Sequence, residues 1–133
     1  MSNDIKAVDI NAELAELSVL DARSPETTEA EADAAFASLA EFGNGALFAG
    51  SFIGESPWER HPGDEMVQIL KGATRLTILT DSGSRVLELR AGMLTVVPQG
   101  LWHKFHAPDG VSLLTATPQP TEHSDAEDPR QAD

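Results

Sequence analysis

The texture of apolar and polar positions changes near residue 45, from a helical pattern rich in Ala and Glu to short apolar runs separated by turn residues. The runs predict strands over 46–53, 65–71, 74–80, 85–89, 93–98, 103–107 and 111–117. Gly72, Asp81-Ser82-Gly83, Ala91-Gly92, Gly100 and Asp109-Gly110 supply the punctuation. With no helix between them, about seven such strands predict an all-β, antiparallel sandwich or barrel. Pro98 fits a strand end, where a missing N–H costs least.

Upstream, residues 25–42 read as one N-terminal helix. Thr28 and Glu31 have capping-box spacing, Ala fills the interior and Gly43-Asn44-Gly45 stops it; Phe36, Leu39 and Leu47 can anchor it on the core. The short apolar segments I-K-A-V-D-I and A-E-L-S-V-L are too brief to separate an extra strand from a swapped arm. Three parts are expected: residues 1–45 as an arm and helix packing on the barrel, 46–118 as the barrel, and 119–133 as a disordered acidic tail.

Composition narrows the function more than the fold. A chain of 133 residues fits one domain able to bury a core unaided. The absence of Cys excludes disulfides, thiolate ligands and a cysteine nucleophile. A formal charge of -13, from 22 Asp+Glu against 9 Lys+Arg, argues against nucleic acid as a partner. The excess sits in residues 1–42 and the tail, so it bears on solubility more than on substrate. The N-terminus lacks a secretory pattern and no stretch approaches the roughly 18 apolar residues of a membrane span, so a cytoplasmic protein without membrane contact is expected.

Two stretches carry the candidate chemistry: W-E-R-H-P-G-D-E at 58–65 and P-Q-G-L-W-H-K-F-H at 98–106. Glu59, His61 and Glu65 in the first, with His103 in the second, would place two imidazoles and two carboxylates around one point if the strands meet. Alternation puts Glu59 and His61 on one face, and Glu65 returns to it beyond the Pro62-Gly63 bend. Glu59 also stands as a general base or as a solvent-facing residue, and Glu65 as a partner for Arg60 or Arg75.

Gly92, Pro98, Gly100 and His103 reproduce the landmarks of the second motif of the cupin superfamily, G-x5-P-x-G-x2-H-x3-N. His61, Glu65 and Gly72 fall on the second half of the first motif, G-x5-H-x-H-x3-4-E-x6-G. The chain thus resembles a small single-domain cupin over roughly Gly54 to Ala107. The resemblance implies an antiparallel double-stranded β-helix (jelly-roll) barrel whose mouth holds a divalent metal ion, Mn, Fe, Ni or Zn. Three positions depart from the pattern: Glu59 stands where the first histidine belongs, the opening glycine is displaced to Gly54, and Ala107 replaces the terminal Asn. Two carboxylates neutralise a divalent ion, so this centre should acidify bound water less than a three-histidine one, and its harder oxygens favour Mn or Fe.

The other candidates read differently. His106 alternates out of phase with His103 and Phe105, so it should face solvent while Phe105 walls the pocket. Trp58 and Trp102 flank the motifs; Gln68 is either an outer hydrogen bonder or edge-exposed; His123 in the polar tail has no expected chemical role. No nucleophile elbow or phosphate loop is present, and Tyr is absent. The expected function is a small metal-binding cupin with an internal pocket for a small organic molecule, and the resemblance implies metal-dependent oxygenation or isomerisation if there is turnover. The alternative is a ligand-binding or sensing cupin without turnover, and a third reading keeps the motif residues only as scaffold. Open sheet edges and the N-terminal arm lead to an expected homodimer.

Overall fold

Two strands of 16 residues each form the spine of the sheet in the computed structural model, which describes residues 5–131. They are β5 (Glu65–Thr80) and β8 (His103–Pro118), antiparallel to each other along most of their length. The remaining elements are α1 (Ile10–Glu16), β1 (Leu20–Arg23), α2 (Glu29–Ala35), β2 (Phe36–Phe42), β3 (Gly45–Glu55), β4 (Trp58–Arg60), β6 (Gly83–Arg90), β7 (Leu94–Val97), β9 (Glu122–Ser124) and a closing 3-10 turn. β6 and β7 pair with β5, and β3 and β4 pair with β8, so one sheet curls around a shared interior. The all-β, jelly-roll expectation holds. Among the described residues no helix is long and apolar enough to cross a membrane.

The strands predicted as 65–71 and 74–80 are one continuous strand, as are 103–107 and 111–117. Gly72 and Gly110 are bends rather than chain reversals. A Cβ on Gly72, whose φ is +76°, would run into the Gly110 carbonyl oxygen, so the two strands cross where only glycine fits. The ladder slips there, between Ile69 and Lys71 and again between Gly72 and Arg75. As a result β5 buries residues 65, 67 and 69 before the bend and 74, 76 and 78 after it. Both halves face one core, built on Phe52, Val67, Ile69, Leu76, Phe105 and Leu113.

The helix expected over 25–42 stops at Ala35. Its start is as predicted: the Thr28 hydroxyl accepts from the Glu31 N–H and the Glu31 carboxylate accepts from the Thr28 N–H. From Phe36 the chain is extended and pairs antiparallel with β3, the Phe36 ring lying where a Cβ of Gly50 would be. Sheet pairing and burial outweigh the helix propensity of Ala and Glu in this stretch. Upstream, the first segment leads into a short helix, α1, and the second leads into an extra strand, β1, that joins β3 in parallel.

The segment from 119, expected to be a disordered tail, folds back instead: β9 pairs with β4 and Pro129 is buried. Polar composition alone hid this, because a three-residue strand needs only its backbone to pair. The first four residues of the arm and the last two of the tail lie outside the described residues.

Candidate metal centre

The two motif stretches are tied together by their loops. The Gly100 N–H donates to the His61 carbonyl at 3.0 Å, and the Gln99 N–H donates to Asp64 Oδ1 at 2.9 Å. His61 follows β4, Glu65 opens β5 and His103 opens β8, so three strand ends converge. All three side chains are buried, His103 completely. Their ligand-capable atoms all lie within 4.8 Å of one another.

Glu65 accepts a hydrogen bond from His103 Nε2 at 3.1 Å through Oε1, and one from the Thr117 hydroxyl at 2.6 Å through Oε2. The Thr117 hydroxyl lies 2.7 Å from that of Thr115. On its far side the His103 ring bonds the Leu101 carbonyl through Nδ1 at 3.0 Å, which makes Nδ1 a donor and turns Nε2 inward. His61 is oriented in the same manner by the Thr121 hydroxyl, 2.9 Å from Nδ1. Burial by itself would raise the Glu65 carboxyl, but the close contacts and charge of the two histidines overcome it and hold the group at about 2. Burial alone would lower His103, but its bond to Glu65 and the charges of Glu65 and Glu59 raise it. Both shifts favour the charged forms, imidazolium for His103 and carboxylate for Glu65.

One atom of the cluster is left over. His61 Nε2 is 3.3 Å from Glu65 Oε2 but out of line for a hydrogen bond, and this buried nitrogen has no other partner. A buried nitrogen aimed at a carboxylate and a second imidazole suits a divalent ion, which would take both Nε2 atoms and a Glu65 oxygen together. The residues fit the group.

Glu59 sits apart from that cluster. Its carboxylate meets His123 Nε2 at 3.2 Å across the β4–β9 pairing, and it is not among the three residues whose ligand atoms converge. Burial works to raise Glu59, yet the His123 bond, Arg23 and His103 leave it below the usual carboxylate range. Its bond to Glu59 raises His123. His123 thus has a place at the site that its polar sequence context hid.

A cavity of ≈ 750 Å³ opens beside these residues, with Phe36, Phe48, Phe52, Phe105 and Leu113 as its apolar wall. Phe105 lines it and His106 is exposed, as alternation along β8 requires. Thr115 and Thr117 share the inward parity of His103, and that alternation was the signal by which they could have been found. The alternatives for Glu65 do not form: Arg60 bonds Glu122 at 2.6 Å and Arg75 bonds Glu88 at 2.8 Å. Trp58 and Trp102 are buried, beneath Lys104 and Arg60 respectively, rather than open to the cavity. Gln68 is half-buried away from the cavity.

Arg23, which no sequence pattern singled out, also lines the cavity.

Residues 53–116 match the cupin domain model. No curated protein matches the chain. Among solved structures, a conserved protein of unknown function from Streptococcus pyogenes, SPY1581, superposes with a TM-score of 0.58 at 21% identity, over 90% of this chain and 92% of that one. A cupin-2 domain protein from Shewanella frigidimarina gives a TM-score of 0.52 at 22% identity over 67% of this chain and 79% of that one. Hydroquinone 1,2-dioxygenase PnpCD, in complex with Cd2+ and 4-hydroxybenzonitrile, gives 0.54 at 18% identity; the match covers 62% of this chain and spans only 63% of that chain's length. Curled sheet, motif spacing and domain match agree that residues 53–116 are a cupin domain.

Proposed function

We propose that the protein is a metal-dependent cupin that binds a small organic molecule in its internal cavity and carries out oxygenation or isomerisation there. The observation that carries the metal is the buried, unpartnered Nε2 of His61 facing Glu65 and His103. His61, Glu65 and His103 would hold the ion, and Glu59, the fourth residue of the set, is engaged with His123. A divalent ion there would supply Lewis acidity toward a substrate oxygen, and redox chemistry if it is Mn or Fe. The chain's own contribution is orientation: Leu101 and Thr121 fix the two rings, and Thr117 fixes the carboxylate. Phe52, Phe105 and Leu113 keep the organic part of a ligand dry. Glu59 is ionised in the neutral range and stands on the cavity wall as a proton acceptor, a weak one given its depressed pKa. A dioxygenase of similar fold that binds a small aromatic ligand and Cd2+ supports the same reading.

A second reading, ligand binding without turnover, is favoured by the engagement of Glu59 with His123, which leaves three converging ligands rather than four.

Elemental analysis of protein purified without a metal-affinity step tests the centre. Near-stoichiometric divalent metal is expected in the wild type, with loss in His61→Ala and in His103→Ala. Failure of demetallated wild type to take up Mn2+, Fe2+, Ni2+ or Zn2+ above the level of those variants overturns it.

A further inference from the structure

Arg23 ends β1 and is held by a close backbone approach. It pairs with Gly54 of β3, where a Cβ would collide with the Arg23 carbonyl oxygen. Its guanidinium lies over the Phe52 ring at 4.5 Å and near Phe36 at 5.4 Å. The residue is only 9% exposed, and its Nε is buried without a hydrogen-bond partner. Among the described residues the guanidinium makes neither a hydrogen bond nor an ion pair with a carboxylate. Glu59 acts on it through space but is bonded to His123, and the acids Glu29, Asp33 and Asp125 of the cavity rim are exposed to solvent.

Stacking on aromatic faces accounts for where the guanidinium lies but not for its empty donors. A planar fork of N–H groups on a cavity wall, its Nε buried without a partner, matches a carboxylate in geometry and charge. An apolar wall leads away from it: Phe52 meets Phe105 edge-on at 6.3 Å, and Phe105 meets His103 edge-on at 6.1 Å. We propose that Arg23 anchors the carboxylate of a small organic acid, whose apolar body lies along Phe52 and Phe105 with its far end toward the group of His61, Glu65 and His103. This gives a substrate class to the function proposed above and rests on that reading for the role of the far end, whereas the anchor itself stands on Arg23 and the cavity.

Calorimetric titration of full-length, metal-free protein separates the two. The probes are benzoate and hexanoate, their primary amides, and sulfate. At least one acid is expected to bind about tenfold or more tighter than its amide, because the amide lacks the charge that the guanidinium requires. Sulfate, having no apolar body, should bind more weakly than that acid. Arg23→Met keeps the stem on Phe52 and removes the charge, so the preference for acid over amide should vanish. Arg23→Lys should retain a reduced preference, having a charge but no fork. Equal binding of acids and amides, sulfate binding as tightly as the acids, or a preference that survives in Arg23→Met would each overturn the anchor. Wild-type protein that prefers the acid but takes up no metal would leave the anchor standing and remove the metal centre.

Discussion

The cavity has two unlike walls. On the barrel wall His61, Glu65 and His103 are buried and braced by Thr117, Thr121 and the Leu101 carbonyl, so that almost every polar atom is placed by another. On the arm wall Arg23 is equally buried, yet only aromatic faces hold its guanidinium. The first wall comes from β4, β5 and β8, within or beside the cupin match; the second comes from β1, well outside it. The barrel wall is a site that can stand alone, with one nitrogen to spare for an ion. The arm wall is a charge without a hydrogen-bonded counterpart, so the two should respond differently to perturbation.

The largest such difference is expected from Gly54→Ala. Gly54 has a φ of +119°, and a Cβ there meets the Arg23 backbone. An L side chain costs roughly 1–3 kcal/mol in backbone strain, and moving β1 off β3 adds to it. Denaturant melts should show a loss of stability on that scale, with the preference for acid over amide abolished. Metal uptake should persist, because β1 pairs with β3 whereas the three converging residues lie on or beside β4, β5 and β8. Loss of metal together with the preference would show that the walls are not independent.

Acidity and alkalinity should act chiefly on the barrel wall. Glu65 is held at about 2, below its ordinary 4.5. A depressed carboxylate stabilises the fold above its unfolded pKa and loses that contribution as pH falls from about 4.5 toward 2. His103 is raised above 6.5, so its contribution is complete below that value and is lost as pH rises through the folded pKa. Metal-free protein should therefore be most stable between these limits. The acid limb is worth on the order of 3 kcal/mol for a shift of this size. Glu59 and His123 shift in the same directions, but His123 is half exposed and solvent discounts its share. Thermal melts of chelator-treated protein across pH check this: Glu65→Gln should flatten the acid limb, and an unchanged acid limb would show that Glu65 does not carry it.

The barrel wall was also the legible one. His61, Glu65 and His103 could be placed because their spacing from Gly72 and Gly100 resembles the two cupin motifs. Glu59 reached the cavity as alternation required, but its partner lies 64 positions along the chain in β9, and no local pattern announces a three-residue strand. Arg23 was invisible for a similar reason. Its position follows from a parallel pairing of Leu20 with Phe52 and of Arg23 with Gly54, set by the fold rather than by neighbours in sequence. The displaced glycine at 54, read as a departure from the family pattern, was the one trace of that contact. Residues 36–42 misled for a different reason: their helical propensity is real, and pairing with β3 overrides it.

The smallest expected effect lies behind the three converging residues. The Thr117 hydroxyl donates to Glu65 Oε2 at 2.6 Å and is itself paired with Thr115. Thr117→Val keeps the shape and β-branching but removes that donor, leaving one lone pair of a buried carboxylate unsatisfied. An outer partner of this kind is worth about 10–100-fold in metal affinity, and the loss should fall near the lower limit because the histidines still hold Glu65. Competition with a chromophoric chelator would measure it, with the preference for acid over amide as the control that must not move. An unchanged metal affinity would mean that Glu65 is oriented by the histidines alone. A lost acid preference would instead mean that Glu65 and Arg23 share one hydrogen-bond network, and that the two walls are a single site.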